Sequence, residues 1–198
     1  MRRGVIEVLC LLLAGCGDPQ FRPLMAGETI LAFGDSLTEG RGASPSQSYP
    51  SVLANLSGHT VINAGVSGEL SQAGRARLPA LLAEHRLGLV ILLEGGNDIL
   101  RNSGESALKA NLAAMIEAVQ GSGAQLLLVA VPRKSLLSDG APLYGELAER
   151  YQLVLDDSSI GELLRSPDLK SDMVHLNGKG YAVLAERLHG LLQDRGAL

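Results

Sequence analysis

The sequence predicts an α/β fold in one domain, a doubly wound parallel sheet with helices on both faces. Three observations predict it. Short apolar runs alternate with segments of helical period, the pattern of strand–helix–strand units. Each run ends in a glycine-rich or polar loop, and in an open parallel sheet those loops share the edge where ligands bind. Across 198 residues there is no internal repeat and no sign of a second domain.

The elements follow in order. Ile30 to Phe33 is an apolar run that breaks at Gly34-Asp35-Ser36, a buried strand leaving through a turn. Tyr49 to Leu56 is helical, with Pro50 tolerated in the first turn and Gly58 ending it. Thr60-Val61-Ile62 is a second strand, followed by Ala64-Gly65-Val66-Ser67-Gly68. Ser71 to Glu84 is a helix with Leu78, Leu81 and Leu82 on its apolar side. Leu87 to Leu93 is almost wholly apolar, as a central parallel strand is, and it breaks at Glu94-Gly95-Gly96-Asn97-Asp98. Glu105 to Gln120 repeats Leu108, Leu112, Met115, Ile116 and Val119 on one helical face, and Gly121-Ser122-Gly123 stops it. Leu126 to Val131 is the fourth strand. A polar, irregular stretch from Arg133 to Ala141 follows, then a helix over Tyr144 to Tyr151 and a fifth strand, Leu153-Val154-Leu155. Ile160 to Leu164 is a helical turn, Leu169 to Asn177 a loop, and Gly180 to Leu192 a closing helix.

The first residues stand apart from this core. Arg2 and Arg3 precede a mostly apolar stretch, Val5 to Leu13, and then the small Ala14 and Gly15, the layout of a secretory signal. The stretch is too short to span a bilayer. Leu13-Ala14-Gly15-Cys16 resembles a bacterial lipobox, in which the cysteine is lipidated and becomes the new N-terminus; the alternative is an uncleaved apolar tail. The expected division is a signal peptide over 1–15, lipidated Cys16 with a tether to 27, and one domain over 28–198. The only cysteines are Cys10 and Cys16, so the processed chain would keep one, acylated, and could form no internal disulfide. A net charge of -4 without a basic run past the first residues argues against nucleic acid as the main partner. The absence of tryptophan argues against a large stacking platform.

Candidate chemistry gathers in the loops at the sheet edge. Ser36 sits just past the first strand, where a serine becomes a nucleophile if a base can reach it; its alternative role is to cap the next helix. Of four histidines, His59, His85 and His189 have structural explanations, whereas His175 lies in a loop three residues after Asp172. A tight loop there would turn the carboxylate onto the imidazole, fixing its tautomer and stabilising the imidazolium. The alternative for Asp172-x-x-His175 is a cap ahead of the last helix. Gly68 allows close approach of a backbone N–H, and Asn97 offers a side-chain amide at a strand end; both are also ordinary turn residues.

Together these blocks resemble the SGNH hydrolases, also called GDSL esterases. Gly34-Asp35-Ser36-Leu37 matches the motif that names the family. Asn63-Ala64-Gly65-Val66-Ser67-Gly68, Gly95-Gly96-Asn97-Asp98 and Asp172-Met173-Val174-His175 are similar to its later blocks. Arg77-Leu78-Pro79-Ala80-Leu81-Leu82 is similar to the bacterial branch of arylesterases, thioesterase I and lysophospholipases. The resemblance implies a flavodoxin-like three-layer α/β/α sandwich on a five-stranded parallel sheet. It implies Ser36 as nucleophile, His175 as general base and Asp172 as its partner, with Ser36, Gly68 and Asn97 forming an oxyanion hole. No cofactor and no metal are expected. Many members carry proline after the histidine, where this chain has Leu176. The Gly-x-Ser-x-Gly elbow is missing, which implies a serine more open to solvent than an elbow serine. Ile99, Leu136 and Leu137 are candidates to line an acyl groove. The expected activity is hydrolysis of short-to-medium acyl esters, thioesters or lysophospholipids by a lipid-anchored monomer of the bacterial cell envelope. The alternatives are an O-acetyl esterase on envelope glycan and a non-catalytic binding protein of the same fold.

Overall fold

A computed structural model describes residues 18–133 and 140–198. Five strands form one parallel sheet: β1 (Thr29–Gly34), β2 (Val61–Gly65), β3 (Leu87–Leu93), β4 (Gln125–Val129) and β5 (Val154–Asp156), in the order β2-β1-β3-β4-β5. Eight α-helices accompany them among the described residues: α1 (Ser36–Glu39), α2 (Tyr49–Ser57), α3 (Ser71–Glu84), α4 (Gly96–Arg101), α5 (Glu105–Ser122), α6 (Pro142–Tyr151), α7 (Ser159–Arg165) and α8 (Gly178–Asp194). α2 and α7 pack with α8 on one face, and α3 and α6 pack with α5 on the other. The expected three-layer sandwich is the observed architecture.

The strand order places the site. The chain runs from β1 outward to β2, then crosses back over β1 to β3 and continues the other way. The loops after β1 and β3 therefore part to opposite faces and leave a crevice between them, the position where doubly wound sheets bind ligands. The two strands pair from Thr29 to Gly34, and their ends are pressed together: a Cβ on Gly34 would lie 1.9 Å from the Leu93 carbonyl oxygen. Only glycine allows that approach.

The core follows from the runs that define the strands. Ile30, Leu31, Ala32 and Phe33 of β1 and Leu89 through Leu93 of β3 are buried, as strands covered by helices on both sides must be. α5 buries Leu108, Leu112, Met115, Ile116 and Val119, the predicted stripe.

Three expectations are corrected. The segments after β1 and β3 are not plain loops, because each opens at once into a short helix, α1 or α4. α7 is a full helix rather than a turn. The stretch expected to be a tether is laid against the domain from Phe21 onward. The Phe21 and Leu24 N–H groups donate to the carbonyls of Arg195 and Ala197, at 2.8 Å each. Arg22 forks onto Glu28, with both contacts at 2.8 Å. Cys16 lies outside the described residues. Among the described residues no helix is long and apolar enough to cross a membrane.

Candidate active site

Ser36 is the first residue of α1, and its side chain is free because its neighbour takes the cap. Asp35 Oδ1 accepts from the Leu37 N–H at 3.1 Å, so the capping role considered for Ser36 belongs to Asp35. The last helix is likewise capped by Asn177, whose Oδ1 accepts from the Gly180 N–H at 3.0 Å, which leaves Asp172 available.

Ser36 Oγ lies 2.9 Å from His175 Nε2, across 139 positions of sequence. His175 Nδ1 lies 2.8 Å from Asp172 Oδ2 and 3.0 Å from Oδ1. An ionised carboxylate can only accept, so Nδ1 carries the ring proton, Nε2 is bare, and the serine hydroxyl donates to it. Asp172 Oδ1 also accepts from the N–H groups of Val174 and His175, at 2.8 and 2.9 Å. Burial acts to raise the Asp172 pKa. The Val174 N–H, the His175 ring and the His175 N–H outweigh it, and the carboxyl is held below its ordinary value.

The loop that carries this pair is stiffened without proline. Leu176 is fully buried and bridges Lys170 in antiparallel fashion. The Ser171 N–H donates to the His175 carbonyl at 3.0 Å, and Asn177 Nδ2 donates to the carbonyls of Asp168 and Lys170, at 2.8 and 3.2 Å. Burial of Leu176 anchors the backbone beside His175, the task a proline ring performs by restricting φ.

Asn97 lies in the first turn of α4. Its Nδ2 donates to Asp35 Oδ2 at 3.3 Å, which orients the amide beside Ser36. Gly68 stands in the β2–α3 loop at φ +79°, where a Cβ would meet nothing nearer than Arg101 Nη2 at 3.7 Å. Its carbonyl accepts from Arg101 at 3.3 Å. Asp98 fixes this loop to α4: its carboxylate accepts from Ser71 N–H at 2.8 Å and Ser71 Oγ at 2.7 Å, at the start of α3.

A cavity of about 310 Å³ opens beside the serine. Ser36, Asn97, Ile99 and His175 line it together, whereas Gly68 does not; Asp172 stands behind the imidazole. The rest of the wall is largely Leu37, Leu100, Val131, Pro132, Leu164 and Met173, with Arg133 at its side. Leu136 and Leu137 lie outside the described residues. Ser36 is only 8% exposed, with the His175 ring against its hydroxyl and the cavity beside it.

Two buried acids escaped sequence reasoning. Burial raises Asp35 to about 6, against its hydrogen bonds from Leu37 and Gly96 and the attraction of His175. Glu94, at the end of β3, is fully buried, and neither of its carboxyl oxygens has a hydrogen-bond partner among the described residues. Burial, and then the charges of Asp35 and Glu69, push it up to about 9. Its neighbour Glu69 is paired with Arg77, whose guanidinium lies 4.2 Å from the Phe33 ring centroid. The Gly-Asp motif pointed to Asp35 but gave no sign of its burial; nothing local marked Glu94. Among the described residues no group of three or more His, Cys, Asp or Glu could hold a metal.

The sequence pattern of the GDSL-like lipase/acylhydrolase family matches residues 32–183. The chain is 38% identical to esterase TesA of Pseudomonas aeruginosa over a stretch covering 61% of this chain and 63%, under two thirds, of that protein. It is 32% identical to an arylesterase of Vibrio mimicus, over 92% of this chain and 95% of the relative. It is 30% identical to thioesterase 1/protease 1/lysophospholipase L1 of Escherichia coli, over 85% of each. Among solved structures it is similar to the crystal structure of TesA, with a TM-score of 0.74 and 29% identity, covering 84% of this chain and 99% of that one.

Proposed function

The chain belongs to the GDSL-like lipase/acylhydrolase family and is an ester hydrolase, and on that footing we propose that Ser36, His175 and Asp172 carry its reaction. The observation that supports this best is the unbroken line from the Ser36 hydroxyl through His175 to Asp172, at 2.9 and 2.8 Å. His175 Nε2 takes the hydroxyl proton as Ser36 Oγ attacks the ester carbonyl. The imidazolium is held by Asp172. The oxyanion forms against the Ser36 N–H and the Asn97 amide, which line the cavity, with the Gly68 N–H as the third donor that the family resemblance implies, each of the kind worth on the order of 3 kcal/mol. The tetrahedral intermediate collapses, the C–O bond to the alcohol breaks, and His175 returns its proton to the leaving oxygen. Water then attacks the acyl-enzyme with His175 again as base, releasing the acid and restoring the serine.

The substrate class follows from the cavity. At about 310 Å³ it lies at the low end of ligand pockets, which run roughly 300–1,000 Å³. Its wall of aliphatic side chains suits a short-to-medium acyl chain, from an ester, thioester or lysophospholipid. No Phe, Tyr or Trp lines it among the described residues, which disfavours the stacking that an O-acetylated glycan would seek. Leu13-Ala14-Gly15-Cys16 behind a charged and apolar start supports lipidation at Cys16 and residence in the bacterial cell envelope.

Ser36→Ala tests the assignment. Turnover of p-nitrophenyl butyrate is expected to fall to background with an unchanged circular dichroism spectrum, and a fluorophosphonate probe is expected to label the parent chain and not the variant. Retained turnover would sink the assignment. An unlabelled parent would favour the non-catalytic alternative.

A further inference from the structure

The described chain begins at the end of the molecule opposite the serine. Pro19 to Leu24 runs along the edge where the strands start. The Arg22 N–H donates to the side-chain carbonyl of Gln125, the first residue of β4, at 2.6 Å. Leu24 is a neighbour of Gly88 near the start of β3. Pro19, Gln20 and Phe21 share a groove with Ala124, Gln125, Leu153 and Val154, at the starts of β4 and β5. Asp18 pairs with Arg195 at 3.3 Å, just past the end of α8. Ser36, Asn97 and His175 are all at the opposite edge, beyond the strand ends. β1 alone, five rises of ~3.3 Å from Thr29 to Gly34, separates the two edges by about 17 Å, and Ser36 lies two residues further on.

Cys16 precedes Asp18 by two positions, and two residues of chain reach at most about 7 Å. Even measured from Phe21, which is bonded through its backbone, five residues reach about 18 Å at full extension. The reach from Asp18 is well short of the height of the sheet, and the reach from Phe21 no more than matches β1 and stops short of Ser36 beyond it. An anchored chain therefore lacks the slack to turn its far edge onto the surface that holds it. The near edge also carries Met25, 59% exposed, an apolar side chain placed to meet a lipid interface.

We propose that the chain, lipidated at Cys16, rests on its bilayer through the edge where the strands begin and holds the mouth of the Ser36 cavity away from that bilayer. Its ester then comes from the aqueous compartment or from an apposed surface, and not from the lipids around its own anchor. This inference rests on the lipidation proposed above and is independent of whether Ser36 is the nucleophile.

The test uses the full chain, processed in a bacterial host and reconstituted into phosphatidylethanolamine–phosphatidylglycerol vesicles with nitroxide-labelled headgroups. Mass spectrometry first reads the diacylglyceryl group on Cys16; its absence overturns the proposal at its premise. Met25→Cys and Val66→Cys each then carry a small fluorophore. Val66, 42% exposed, follows β2 at the far edge and takes no part in the proposed chemistry. Both labels report position whether or not the serine reacts. The expected result is loss of emission from the label at position 25 and full emission from the label at position 66. Quenching of the label at position 66 equal to or greater than that at position 25 overturns the proposal.

Discussion

Asp35 and Ser36 divide labour that either could have performed. Asp35 closes the start of α1 and orients Asn97, and so Ser36 keeps its hydroxyl for His175. Residue types at those positions were readable from the motif, whereas the spacing of Asp172 and His175 fitted a helix cap as well as a pair, and only the family resemblance pointed to the pair. Burial was not readable. Glu94 looked like one more polar residue at a strand end, yet the packing of Phe33, Gly74 and Glu69 leaves its carboxyl dry. A folded-state pKa near 9, raised first by burial, means the folded chain holds that proton more tightly than the unfolded chain does. Its stabilising effect is full below the ordinary glutamate range and declines as pH rises toward 9. Glu94→Gln is expected to flatten the fall in stability between pH 5 and pH 9, the window set by that shift. It should raise stability at pH 8 by about 1–3 kcal/mol, since glutamine is neutral already and need not take a proton from solution on folding, as Glu94 must. Urea unfolding at a series of pH values checks this, and an unchanged slope would show Glu94 ionised in the fold.

Among the elements, long periodic ones were legible and short ones were not. α5 and β3 carry enough repeats for their period to declare them. α1 has four residues and α4 six, too few for any period, and both are held by contacts from elsewhere. Asp98 shows how: it caps α3 from α4 through Ser71, a bond across 27 positions that no local pattern encodes. α3 has no side-chain cap of its own. Asp98→Ala leaves the Ser71 donors unpaired in a buried place and is expected to cost about 2–4 kcal/mol. It should also lower kcat with little change in KM, because Asn97 and the Gly68 loop would lose their common brace. Thermal unfolding and steady-state kinetics on a p-nitrophenyl ester read the two effects separately. A stability loss with unchanged kcat would confine Asp98 to folding.

For the molecule as a whole, alternation of strand and helix gave the architecture, while the course of the residues before β1 was hidden. Asp, Pro, Gln and Arg without periodicity read as free chain, but their hold on the domain comes from backbone bonds to residues about 170 positions away. The fork of Arg22 onto Glu28, with help from the Met25 N–H, brings that carboxyl down to about 2. A lowered value contributes stability above the ordinary glutamate range that is lost as pH falls toward 2. Arg22→Ala is therefore expected to lower the unfolding temperature at pH 7 and to shrink the difference between pH 7 and pH 3. Calorimetry at the two pH values measures both, and an unchanged difference would mean the pair is not what lowers Glu28. The same strap brings the two ends of the folded body side by side, Phe21 against Arg195 and Leu24 against Ala197. A purification handle, a bead or a fused partner attached past Leu198 would thus sit at the back of the molecule, and immobilised material should keep its doorway clear.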